Sequence, residues 1–175
     1  MAALEKRRFG KTGEEVTVVG LGGEGVLRTY GRHVEARAVI MEALNQGITY
    51  FDSAKVYAGS EDYYGEVWRS SPDLRAPVFQ ASKSASRLHA EAEMDLEETL
   101  QRLGIETLDL WQIHDIRTFP EIRELEGPSG ALAAFVEAKE MGIVRYIGVT
   151  GHHDPDVLSH AVENWPVDAV MLPVN

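Results

Sequence analysis

The stretch VEARAVIMEALNQGITYFDSA, residues 34–54, changes its period once. Over VEARAVIMEALNQG the apolar residues fall on one helical face and a glycine supplies the stop; Thr49 to Ala54 then reads as a short buried strand. A helix delivered straight into a strand is the sequence sign of a parallel βα repeat, because a crossover between parallel strands needs a dozen or more residues and is usually helical.

The same alternation continues in both directions. Strands are expected at Val18 to Gly22, Thr49 to Ala54, Val78 to Ser82, Leu108 to His114, Arg145 to Thr150 and Ala169 to Val174. LHAEAEMDLEETLQRLG, residues 88–104, turns Met94, Leu96, Leu100 and Leu103 inward and its glutamates outward. Further helices fit Ser60 to Arg69, Gly130 to Met141 and Pro155 to Trp165, the last with Asp154 as N-cap before Pro155. Ahead of the first strand, RRFGKTGEEVTVV holds two extended pieces around Gly10 to Gly13, which read as a hairpin able to plug one end of a barrel. Arg117 to Ser129, with Pro120 and Pro128, reads as a longer loop, and no linker divides the chain, so residues 1–175 are expected to form a single domain.

Two α/β architectures suit this repeat, a doubly wound sheet and a (β/α)8 TIM barrel. A barrel closes with eight strands, and about six βα units are present. On the barrel reading the chain is incomplete, the N-terminal portion of the fold, and its open edges invite self-association.

Composition narrows the function classes. With 44% hydrophobic and 26% charged residues the chain is of ordinary globular make-up, and a net charge of -11 gives no global attraction for nucleic acid or an anionic membrane. A phosphate-bearing cofactor would need a local basic pocket. The absence of cysteine removes disulfides, thiolate metal sites and a cysteine nucleophile, and fits a reducing compartment. MAALEKRRFG has charges where a signal peptide needs an apolar core, and no apolar run approaches a membrane span, so the cytoplasm is the default location.

Polar groups gather where parallel α/β folds place their chemistry, at the carboxyl ends of strands. GLGGEG ends the first strand, Asp52 with Lys55 and Tyr57 the second, QASKS with Lys83 the third, IHD with His114 the fourth and GVTGHHD the fifth. Singly, each has a plain explanation: Asp52 caps a turn, Lys83 is solvated, His114 bonds a carbonyl. An acid, a phenol, an ammonium and an imidazole on three successive strand ends point instead to a site. A lysine ammonium beside a phenol lowers its pKa, an aspartate keeps that ammonium charged, and an imidazole can hold a carbonyl oxygen while a proton and a hydride arrive. That combination is carbonyl reduction.

At this point FGKTGEEVTVVGLGG, YFDSAKVYAGSEDYYGE, ASKS, LDLWQIHDI and GIVRYIGVTGH resemble, in order and spacing, the aldo-keto reductases. The resemblance implies a (β/α)8 barrel, a small-molecule carbonyl substrate, bound NADP(H) or NAD(H), and a catalytic tetrad of Asp52, Tyr57, Lys83 and His114 with Tyr57 as general acid. Lys55 falls outside that set and reads as a solvated loop charge. On the cofactor side the resemblance assigns Gly22 and Gly23, which allow close backbone approach, together with Thr150 and Gly151, where the family usually has serine and asparagine, and Met171, where it usually has glutamine. GLGGEG lacks the third-glycine spacing of the dinucleotide fingerprint, and a bare turn is an equal reading. The resemblance also implies that the adenosine-phosphate pocket comes from the last two strands, so the chain by itself is expected to be inactive or nearly so.

Two other functions fit parts of the pattern. A metal-dependent hydrolase could use Asp52, His114, Asp115, His152, His153 and Asp154, although no His-x-His or His-Glu-x-x-His pair is present and no metal is expected. A non-catalytic binding or regulatory subunit could share the same fold.

Overall fold

The structure, a computed structural model, describes residues 3–174. Its first element is the hairpin: β1 (Lys6–Arg8) pairs antiparallel with β2 (Glu15–Thr17), and Gly10 and Gly13 supply the positive φ the turn requires, +55° and +85°. Six parallel strands follow in sequential order. They are β3 (Gly20–Leu21), β4 (Tyr50–Asp52), β5 (Phe79–Ser84), β6 (Leu108–Ile113), β7 (Val144–Thr150) and β8 (Ala169–Met171). The connecting helices are α1 (His33–Asn45), α2 (Ser60–Ser70), α3 (His89–Leu103), α4 (Phe119–Leu125), α5 (Ala131–Glu140) and α6 (Pro155–Asn164). This is a half-barrel: six of the strands of a (β/α)8 fold in sequential order, open among the described residues at β3 and β8.

Three strands are cut to half or less of the length their sequences suggest, β4 among them, which keeps only Tyr50–Asp52 of the expected Thr49 to Ala54. Val18 donates its amide to Glu5 O and so prolongs the hairpin; it and Val19 stay half exposed, at 50% and 51%, and leave β3 only two residues. β8 ends at Met171, two residues before Pro173, whose nitrogen cannot donate to a ladder.

Two expectations for the helices need correction. Arg117 to Ser129 is not all loop: Thr118 and Glu121 form a reciprocal capping box that starts α4, and Pro120 lies in the first turn, where an amide hydrogen is not needed. In α3, Met94 points outward at 61% exposure, whereas Asp95 and Thr99 are buried beside Ala92, Leu96 and Leu103. The polar residues face inward because they have partners there. Asp95 accepts hydrogen bonds from Lys55, Ser84 and Ser86, and Thr99 donates to Glu61. α6 starts as read, with the Asp154 side chain accepting from the Asp156 amide.

The hairpin closes one end of the half-barrel. Phe9 meets Tyr50 and Phe79 edge-on, and Val16 packs with Phe79, Ala81 and Leu110 in a small cluster of its own. The Tyr146 hydroxyl donates to Thr12 O at 2.9 Å, and Arg145 pairs with Glu14 and Asp109. The larger core lies between the sheet and its helices. With the amino ends of the strands plugged, the carboxyl ends are free to carry chemistry. Among the described residues no helix is long and apolar enough to cross a membrane.

Close approach of α2 to α3 depends on Gly65, where a Cβ would stand 1.9 Å from Arg102 O. Gly65→Ala gains about 1 kcal/mol of helix propensity but forces two packed helices apart, a strain of about 1–3 kcal/mol or more. The expected result is a lower Tm, measured by thermal melting; an unchanged or raised Tm would show that the helices shift without cost.

Candidate active site

β4 ends at Asp52, and the turn that follows carries Ser53, Lys55 and Tyr57 before α2 begins. β5 brings Lys83 alongside, since Asp52 is in register with Ala81 and Lys83 lies two residues further on the same face. Lys83 is 1% exposed. Its ammonium donates to Asp52 Oδ2 at 2.5 Å and to Ser53 O at 2.7 Å, so a charge that burial disfavours has two oxygen acceptors. The same Nζ lies 4.8 Å from the centre of the Tyr57 ring. His114, one residue past β6, meets that ring edge-on with centroids 5.6 Å apart. The structure thus brings Asp52, Tyr57, Lys83 and His114 together.

Backbone strain concentrates at the same place. Ala58, next to Tyr57, has φ +34°, and Asp115, next to His114, has φ +55°; no other non-glycine residue described has a positive φ. Side chains adopt this region at a cost, and such outliers persist where the surroundings fix them. Gly23 shows how tightly Tyr57 is seated, since a Cβ there would come within 2.9 Å of Tyr57 Cδ2 and 2.6 Å of Ser60 Oγ.

Electrostatics depart from the sequence expectation in one respect. Burial, with Asp52 and Glu24 adding to it, pushes the Tyr57 phenol up to about 12, so Lys83 does not bring it below its ordinary value. The phenol is therefore held as a proton donor. Burial first, and Lys83 second, push His114 down to about 4, which makes it a neutral imidazole near neutral pH. Burial raises Asp52 against the opposing attraction of Lys83. Asp52 Oδ1 and His114 Nδ1 are buried with no hydrogen-bonding partner among the described residues.

Over this group opens a cleft of about 570 Å³, walled by Tyr57, His114, Arg28, Arg87, Arg117 and His152 among others. Gly22 is compatible with a ligand lying close to the backbone, since a Cβ there would meet nothing within 4 Å. Thr150 is buried at the end of β7 and its hydroxyl accepts from the Asp115 amide at 2.8 Å. Gly151 donates to Met171 O, and a Cβ on it would press on Ile116 O and Leu158. These three residues form a second cluster at the ends of β7 and β8. The backbone left bare at Gly22 fits the close approach of a nicotinamide cofactor, whereas the Thr150 hydroxyl is already engaged with the Asp115 amide.

Lys55 is not a solvated charge. It pairs with Asp95 at 2.5 Å and Glu98 at 3.0 Å, and ties the turn after β4 to α3. The hydrolase set does not assemble: His153 approaches Asp115 only to 3.7 Å, and the one three-residue group among the described residues with ligand atoms close together is His89, Glu93 and Glu137, which shares no residue with that set. Arg28, whose guanidinium lies 4.9 Å from the Tyr57 ring centre, was missed in the sequence because no motif marks it.

Comparison with known proteins gives a consistent result. The profile of the Aldo/keto reductase family matches residues 18–175. L-galactose dehydrogenase from Arabidopsis thaliana is 28% identical over 184 residues, covering 97% of this chain and 55% of that protein. The NADP(+) aldo-keto reductase yakc of Schizosaccharomyces pombe is 28% identical over 186 residues, covering 97% and 52%. The holo form of aldo-keto reductase AKR11C1 from Bacillus halodurans superposes with a TM-score of 0.82 at 23% identity, covering 98% of this chain and 58% of that one. The chain spans about half the length of the curated relatives it matches.

Proposed function

Because the chain belongs to the aldo/keto reductase family, we propose that it takes part in reducing the carbonyl of a small aldehyde or ketone to an alcohol. Tyr57 is the general acid, and NADPH is the hydride source. The observation that carries this reading is the convergence of Tyr57 and His114 on one cleft, with the Lys83–Asp52 pair against the phenol.

When bound, the nicotinamide cofactor supplies a hydride to the carbonyl carbon. The remaining steps belong to this chain. Neutral His114 hydrogen-bonds the carbonyl oxygen and aims it at Tyr57. The Tyr57 hydroxyl gives its proton to that oxygen as negative charge develops on it, and the Lys83 ammonium stabilises the phenolate left behind. Asp52 holds the Lys83 side chain in place through their hydrogen bond. Gly22 and Gly23, with Thr150, Gly151 and Met171 at the neighbouring strand ends, are assigned to the cofactor side. NADP(H) is preferred to NAD(H) because the Schizosaccharomyces pombe relative is named for NADP(+). The open edges at β3 and β8 support self-association or completion by further strands, and turnover by the 175-residue chain by itself is expected to be slight.

The test is therefore a single-turnover one, with protein in excess over NADPH deuterated at the transferred position and a panel of aldehydes and ketones. Deuterium is expected at the carbinol carbon of the product. Hydrolysis that a chelator abolishes, with no deuterium transferred, would overturn the proposal.

A further inference from the structure

We propose that Arg28 is a positioning residue for Tyr57, holding the phenol ring in place and adding a second positive charge beside it. The inference rests on the catalytic reading of Tyr57 given above. Two cations lie over this ring: Lys83 Nζ at 4.8 Å from its centre and the Arg28 guanidinium at 4.9 Å. The first is buried, whereas the second is 48% exposed and belongs to the 3₁₀ turn Gly25–Arg28 that follows β3. A guanidinium over an aromatic face is attracted by the ring quadrupole.

Arg28 does not simply stray over the ring. Its Nη1 donates to Glu24 Oε1 at 2.8 Å, one turn back, which anchors the head group. Gly23 precedes this turn and abuts the ring itself, so the segment from Gly23 to Arg28 meets Tyr57 both by backbone contact and by charge.

The charges facing Tyr57 explain why a second cation matters. Asp52 from β4, Glu24 from the segment before the 3₁₀ turn and Asp115 from the end of β6 all oppose ionisation of the phenol, and Arg28 favours it. Lys83 from β5 is paired with Asp52, His114 is neutral near neutral pH, and Arg87, Arg117 and His152 line the same cleft. Removing Arg28 would leave Glu24 near the ring without its partner. In the alcohol-oxidising direction, where phenolate is the base, the available base would then fall.

The experiment reads Tyr57 directly in the 175-residue chain. The 13Cζ tyrosine resonance, assigned with Tyr57→Phe, is followed along its alkaline limb in the parent, Arg28→Met and Arg28→Lys. Arg28→Met is expected to raise the midpoint by about half a unit, the size of an attraction between partly exposed groups, and Arg28→Lys to restore most of it. In an alcohol-oxidation assay below that midpoint, Arg28→Met should then be roughly threefold slower, with the same slope of log rate against pH. An unchanged Tyr57 midpoint in Arg28→Met would overturn the inference. A shifted midpoint together with an oxidation rate that Tyr57→Phe leaves intact would instead overturn the catalytic role of Tyr57 and leave the Arg28 contact standing.

Discussion

Replacing Tyr57 with phenylalanine is expected to lower the rate of hydride transfer by roughly two to four orders of magnitude, the range contributed by a positioned general acid. The substitution removes one hydroxyl and keeps the ring, so the edge contact with His114, the seat against Gly23 and the two cations over the ring all remain. Stability should therefore change little. Cofactor binding should also persist, because none of the residues assigned to that side is altered. What is lost is the positioned proton: Lys83 has two of its three ammonium hydrogens committed to Asp52 and Ser53, and His114 is a neutral imidazole near neutral pH, a far weaker acid than an imidazolium would be. Single-turnover rates, compared with cofactor affinity measured by fluorescence, separate the two effects. Equal transfer rates in parent and variant would remove Tyr57 from the mechanism.

The parts of this molecule that were legible in the sequence are those written in local pattern. All six parallel strands and the helices α1, α2, α3, α5 and α6 follow from changes of period and glycine or proline punctuation, and the proximity of Asp52, Lys83 and His114 follows from their all lying at strand ends. What stayed hidden depends on distant partners. Periodicity assigned Met94 to the core and had no means to see that Asp95 would turn inward toward Lys55, 40 residues away. The same blindness made Lys55 look solvated. α4 was obscured by Pro120, which reads as a breaker unless its place in the first turn is known. The pKa of Tyr57 was misjudged in direction because the sequence supplies Lys83 as a neighbour but not the burial and the carboxylates that outweigh it.

Lys83→Met is expected to be the most destabilising substitution in the site, and the loss should depend on pH. The side chain is 1% exposed and, among the described residues, its ammonium is the one hydrogen-bonding partner of the Asp52 carboxylate, whose other oxygen has none. Methionine fills the space but leaves a buried carboxylate alone, a change that typically costs about 3–5 kcal/mol, out of a total that for most domains is only about 5–15 kcal/mol. Asp52 can escape by taking up a proton. Burial raises its pKa even with Lys83 present, and removing the lysine removes the attraction that opposes burial. A carboxyl whose folded pKa lies above its unfolded value contributes stability fully below the unfolded pKa and loses it as pH rises through the folded one. The deficit of Lys83→Met relative to the parent should therefore be greatest at neutral and alkaline pH and shrink as pH falls into and below the carboxylate range. Adding Asp52→Asn to Lys83→Met takes away the lone charge, so the double variant should recover part of the loss at neutral pH and flatten the pH dependence. Urea unfolding of the parent and both variants, at one acidic and one neutral pH, reads all of this at once. A deficit equal at the two pH values, untouched by Asp52→Asn, would mean that Lys83 matters to the fold through its packing and not through the charge it shares with Asp52.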